Sequence, residues 1–107
     1  MEKSIFLDVV GDSPTMRILQ YLIEGRHFDY TLTDLADNSG VSWGTLHVIF
    51  PKLIKYEIVI KTRDVGRAKL YKLNIENQIA KHLLELYDSI ILNNLKKLKE
   101  NLLEITA

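Results

Sequence analysis

Cysteine is missing from this 107-residue chain. Its absence excludes disulfides, thiolate metal sites and thiol nucleophiles. Long hydrophobic runs are also missing: none approaches the roughly 18 residues of a membrane span. The opening MEKSIFLDVVGD has no basic n-region followed by a long apolar core and a small-residue cleavage site, the marks of a secretory signal. No membrane association and a cytoplasmic location are therefore expected. Catalytic constellations are absent too. The pairs Asp8 and Asp12, and Asp34 and Asp37, sit at helix starts or on the surface, with no partner nucleophile and no phosphate-cradling glycine loop. His27, His47 and His82 share no ligand spacing with one another or with carboxylates, so neither a metal nor another cofactor is expected. The chain reads as a non-enzyme.

What is present describes one soluble globular unit, with 47% hydrophobic and 26% charged residues. The formal net charge of zero hides a segregation. Residues 1–41 hold three cations against seven acids, and residues 73–107 hold four against five. Residues 42–72 hold seven cations (Lys52, Lys55, Lys61, Arg63, Arg67, Lys69 and Lys72) against two acids. Such a local excess suits a face that meets phosphates.

Along the chain, Ile5, Phe6, Val9 and Val10 suit one face of a short helix ended by Gly11. Asp12-Ser13-Pro14 is a start signal for a second helix to about Glu24, with Ile18, Leu19, Leu22 and Ile23 at helical spacing. Gly25 stops it, and residues 27–30 form a short extended link. Thr31 caps the next helix, with Asp34 in place of the usual Glu of a capping box. Leu32, Leu35 and Ala36 face inward, and Gly40 permits the left-handed backbone of a sharp turn. Ser42 caps a further helix whose buried stripe is Val41, Leu46, Ile49, Phe50 and Leu53. Pro51, nine residues in, removes a hydrogen bond at a cost of roughly 3 kcal/mol and predicts a bend or break, with residues 52–56 as a displaced final turn. Residues 58–63 and 68–73 alternate as two strands joined by a short turn at Asp64-Val65-Gly66-Arg67.

From about Glu76 to Ile105 neither Gly nor Pro interrupts a helix that would extend about 45 Å. Leu84, Tyr87, Ile91, Leu95, Leu98, Leu102 and Ile105 recur at steps of 3 and 4, a coiled-coil-like seam. Leu83, Leu86 and Ile90 widen it towards the domain. One long helix packed across its own domain is the alternative. The half from Asn93, however, has nothing left in its own domain to cover it, so the seam from Leu84 to Ile105 is expected to be a homodimer interface.

Three segments in this order carry a resemblance. GDSPTMRILQYL (11–22), LTDLADNSGVSWGTLHVIFPKL (32–53) and GRAKLYKLN (66–74) resemble the first helix, the helix-turn-helix and the wing's return strand of ArsR/MarR-type winged-helix regulators. The likeness is greatest to the small archaeal single-domain members. It covers roughly residues 6–74. It implies a mainly α fold with a small β-hairpin (α+β): a winged helix-turn-helix DNA-binding domain over residues 1–74 and a long dimerisation helix over residues 75–107. The link at residues 27–30 often adds a third small strand in this fold.

The resemblance further implies that Ser42, Trp43, Gly44, Thr45, His47 and Val48 lie in or near the major groove of double-stranded DNA, with Lys52 on the same helix. Lys61, Arg63, Arg67 and Lys69 would then serve the wing, meeting backbone or minor groove. A homodimer would meet an approximately palindromic site with half-sites about 34 Å apart and repress by occlusion. Here the sequence departs from the family: Trp43, His47 and Val48 stand where Arg, Lys, Gln or Asn often read base edges. The cysteine metal box of arsenic-type repressors is absent. Trp43 also fits a rival reading, a winged-helix protein-interaction module with an aromatic anchor. An effector pocket between the long helices, lined by Tyr87, Asn93 and Asn94, is a third; a structural role for these residues is the alternative to it.

Overall fold

Residues 4–106 are described by a computed structural model, and each helix in it begins at a side chain that accepts a hydrogen bond from an otherwise orphaned backbone N–H. Helix α1 (Ile5–Val10) starts at Ser4, α2 (Pro14–Glu24) at Ser13, α3 (Leu32–Ser39) at Thr31 and α4 (Trp43–Lys55) at Ser42. Helix α5 (Gln78–Thr106) starts at Asn77, whose Oδ1 accepts from the Ala80 N–H at 3.0 Å. Around Thr31 the box is reciprocal, because Asp34 Oδ2 accepts from the Thr31 N–H. Caps of this kind contribute about 1 kcal/mol each.

Helices α2, α3 and α4 enclose the core. Ile18, Leu22, Ile23, Leu35 and Leu46 are fully buried, and Phe50 and Leu53 close it from α4. Two residues of α1 differ from expectation: Leu7 is buried beside Phe6, whereas Val9 is exposed. The helix docks on α5, where the Phe6 ring lies 5.2 Å from that of Tyr87. The proximal part of α5 belongs to the same core, with Ala80 fully buried and Leu83, Leu84, Tyr87 and Ile90 packed against it. No helix among the described residues is long and apolar enough to cross a membrane.

Pro51 does not break α4, which runs from Trp43 to Lys55. Proline removes only its own N–H, and Pro51 lies on the exposed side of the helix. Phe50 and Leu53 are buried on the other side. Burying these two side chains stabilises by about 1.5–3 kcal/mol each, enough to offset the proline and hold the last turn on the core.

The link after α2 is a turn, not an extended segment, with the Phe28 N–H donating to Gly25 O. Only Tyr30 is extended, and it forms a single antiparallel bridge to Tyr71 in place of a third strand. A side chain at Gly25 would strike the Tyr30 ring, so close approach, not backbone freedom, requires glycine there.

The hairpin pairs β1 (Val59–Val65) with β2 (Ala68–Leu73) and turns through only Gly66 and Arg67, two residues fewer than expected. Val59 and Leu73 form its core-facing pair, while Ile60 points outward. A bulge between Lys61 and Arg63 breaks the alternation.

Helix α5 begins later than expected because residues 74–77 form a turn. Asn74 donates its side-chain amide to Glu57 O at 3.0 Å, and Asn77 donates to Tyr56 O at 3.2 Å. Both carbonyls lie at the exit of α4, where Glu57 has a φ of 57°. A left-handed conformation costs a side-chain-bearing residue roughly 1–2 kcal/mol. Glu57→Gly is therefore expected to stabilise the protein by up to about 1 kcal/mol, after glycine's larger loss of chain entropy. Denaturant midpoints of the two proteins check this; an unchanged or lower midpoint would contradict strain at this residue.

Candidate nucleic-acid interface

The outer face of α4 at its start is left to solvent. Ser42, Gly44 and His47 are exposed, Thr45 is half-buried, and Trp43 and Val48 are 51% and 67% exposed. The reason is rotational: once Leu46, Phe50 and Leu53 face the core, residues at the other phases of a 3.6-residue period must point outward. A Cβ added at Gly44 would meet nothing within 4 Å, so this face is open. Two short contacts order it. Ser42 Oγ donates to Thr45 Oγ1 at 2.8 Å, and His47 Nδ1 lies 2.9 Å from Trp43 O. The Trp43 and His47 rings are 4.5 Å apart and tilted by 59°.

A cleft of about 240 Å³ separates this helix start from the wing. Trp43 lies on one side, Arg67, Lys69 and Tyr71 on the other, and Thr31 and Thr33 from the start of α3 complete it. Thus Trp43 faces one space with Arg67 and Lys69, each 24 or more positions from it in sequence. Thr31 and Thr33 were not among the expected site residues. Their signal was the capping box, which places the start of α3 but gives no hint that a wing strand passes beside it.

Two expected wing cations are engaged elsewhere. Arg63 donates to both carboxylate oxygens of Asp29, at 2.9 and 3.2 Å, and Lys61 pairs with Asp64 at 2.8 Å. Thr62 Oγ1 adds a hydrogen bond to Asp29 at 2.6 Å. Arg63 therefore acts as a strut between the wing and the turn after α2, and its charge is locally neutralised. Lys52 lies exposed towards the end of α4, outside the cleft.

The expected dimer seam divides in two. Leu84 and Tyr87 pack on the core of their own domain, and Ile91 is half-buried. The Tyr87 hydroxyl donates to Glu24 at 2.7 Å, and burial first, then this bond, pushes its pKa up to about 12. Beside it Arg26 grips Asp88 through two bonds of 2.8 and 3.1 Å. From there on apolar side chains face solvent: Leu95 is 55% and Leu98 52% exposed, and Leu92, Leu102 and Ile105 are exposed as well. Leu86 is exposed rather than turned to the domain. Asn93 and Asn94 line a cleft with Ile5 and Val9 of α1, and Tyr87 is not part of it.

The hydrogen bond from Arg63, and then that from Thr62, hold the Asp29 carboxyl down to about 2. Because the folded-state value is depressed below that of the free carboxyl, the strut is complete above pH 4 and is lost as pH falls through about 2. A carboxyl-detected NMR titration is expected to give Asp29 a midpoint near 2. Arg63→Ala should move that midpoint up towards the ordinary value of about 4. An Asp29 midpoint near 4 in the unsubstituted protein would show that the strut is not formed.

No family model matches the chain, and no curated protein matches it in sequence. Solved structures do. MepR, a transcription regulator of the Staphylococcus aureus multidrug efflux pump MepA, superposes with a TM-score of 0.60 at 15% identity, covering 94% of this chain and 81% of MepR. A MepR mutant bound to an oligodeoxyribonucleotide gives 0.62 at 16%, covering 95% and 82%. Sso10a-2, a DNA-binding protein from Sulfolobus solfataricus, gives 0.53 at 17%, covering 87% and 96%. With these neighbours the chain shares its fold, a mainly helical winged helix-turn-helix with a two-stranded wing and a long C-terminal helix.

Proposed function

We propose that this protein is a DNA-binding transcription regulator and not an enzyme. The observation that carries the reading is the shared cleft, where the uncovered start of α4 and two wing cations that form no ion pair among the described residues, Arg67 and Lys69, face one space. The N-terminus of α4 adds the positive end of its dipole and two hydroxyls, Ser42 and Thr45, on the same side. In this reading α4 enters the major groove through Trp43, Gly44, His47 and Val48, and the wing's Arg67 and Lys69 hold the backbone. The oligonucleotide-bound MepR mutant, of like fold, supports it.

The same proposal makes the active form a homodimer joined along the distal half of α5, residues 75–107 thus serving both core and interface. Leu92, Leu95 and Leu98 leave an apolar stripe larger than a solitary helix keeps in water. Two copies of α4 would then meet half-sites about 34 Å apart on an approximately palindromic site, repressing by occlusion, in the cytoplasm.

A fluorescence-anisotropy titration on random duplex DNA at two salt concentrations tests the DNA reading. Binding is expected to weaken steeply with salt, and an Arg67→Ala/Lys69→Ala double variant should bind more weakly with a salt slope smaller by about 2. Absence of binding at low salt would turn the search to a protein partner anchored on the exposed Trp43. Sedimentation tests the interface. The unsubstituted protein should run as a dimer and Leu95→Glu/Leu98→Glu as a folded monomer; a monomer in both cases would remove the palindromic geometry with it.

A further inference from the structure

The start of α4 lacks the forked side chains that read bases in pairs of bonds, yet one residue on it has its donor and acceptor roles fixed by the fold. His47 lies four residues after Trp43, so its ring folds back along the helix over the preceding turn. There its Nδ1 is 2.9 Å from Trp43 O, and the Trp43 ring packs against the imidazole at 4.5 Å. A carbonyl oxygen can only accept, so Nδ1 carries the proton in that bond. In a neutral imidazole with one nitrogen protonated, the other is a lone-pair acceptor. Nε2 is that acceptor. It sits on the ring edge away from the helix backbone, on an exposed side chain. One turn earlier on the helix the surface at Gly44 is open, and the next residue, the apolar Val48, is exposed.

We propose that His47 is a specificity-determining residue which reads an exocyclic base amino group in the major groove. Nε2 accepts a hydrogen bond from cytosine N4 or adenine N6. This rests on the DNA-binding reading above and adds the rule by which sites are chosen. The major-groove edges of guanine (N7 and O6) and thymine (O4) present acceptors, which would face the Nε2 lone pair and be repelled. Val48, adjacent and apolar, suits a thymine methyl at the neighbouring pair.

The experiment is selection of bound duplexes from a randomised pool at pH 8, with the unsubstituted protein, His47→Ala and His47→Arg. The unsubstituted protein is expected to select cytosine or adenine, and to exclude guanine and thymine, at one position per half-site. Replacing that base by guanine should weaken binding roughly tenfold. His47→Ala should flatten that position and leave the others, and His47→Arg should convert it to guanine. Because the side chain is exposed, both variants should keep the thermal midpoint of the parent. Nitrogen-15 NMR of the free protein reads the tautomer directly, and protonation at Nε2 instead of Nδ1 would overturn the proposal. So would DNA binding whose base preferences are the same in all three proteins. If the unsubstituted protein binds no duplex at low salt, the DNA reading falls and this inference with it.

Discussion

The chain reverses between α3 and α4 at Gly40, whose φ of 68° lets the Gly40 N–H close on Ala36 O and lets α4 leave at once across α3. A residue with a Cβ would pay roughly 1 kcal/mol for that backbone conformation. The small Ala36, 7% exposed, lies beneath the crossing. Because the turn is so short, α4 must seal its apolar stripe against α2 and α3 along its whole length. Its first outer turns are therefore left with nothing from the same domain above them. Exposure of Trp43, His47 and Val48 follows from that packing. A longer linker would let α4 roll and hide Trp43, so the open face depends on the turn as much as on the residues it carries.

The wing is fixed to this frame at two places. At its base, Asn74 and Asn77 satisfy the carbonyls of Glu57 and Tyr56 as the chain leaves α4. Partway along, Tyr30 and Tyr71 exchange backbone bonds of 2.7 and 2.8 Å, and Asp29 takes Arg63 and Thr62. A two-stranded hairpin alone is marginal in water. With these ties only its tip, Gly66 and the cations Arg67 and Lys69, extends beyond the anchored part. The charge left for a phosphate in the proposed DNA complex is accordingly smaller than the residue count suggests. Of the four wing cations expected at the site, Arg63 and Lys61 are held by acids, and the remaining two sit on the cleft.

What was legible in the sequence was local. Ser13, Thr31 and Ser42 announce helix starts because a cap acts over three residues, and the inward stripes of α2, α3 and α4 follow from period alone. The roles of individual charges were not legible. Asp29 and Arg63 are 34 positions apart, and nothing near either residue signals the other. Pro51 misled for the opposite reason: its local penalty is real, but the burial of Phe50 and Leu53 outweighs it. The α5 seam was read as one continuous strip because its spacing is continuous. Only the placement of α1 and α2 shows that Tyr87 is used up by Phe6 and Glu24.

That division of α5 gives the helix two duties that are mechanically linked. Its proximal half is clamped to the domain by the Arg26–Asp88 pair and the Tyr87–Glu24 bond, both reaching the end of α2. Its distal half carries the uncovered leucines. A helix of 29 residues is about 43 Å long and bends little over that length. In the proposed dimer, a small change of angle at the clamp would be magnified at the far end, and with it the distance between the two copies of α4. The charged and hydroxyl groups at the clamp are directional, whereas the apolar packing of Leu83 and Ile90 would tolerate a range of angles. In that dimer, the polar bonds from the end of α2 and the turn after it to α5 would therefore set the half-site spacing.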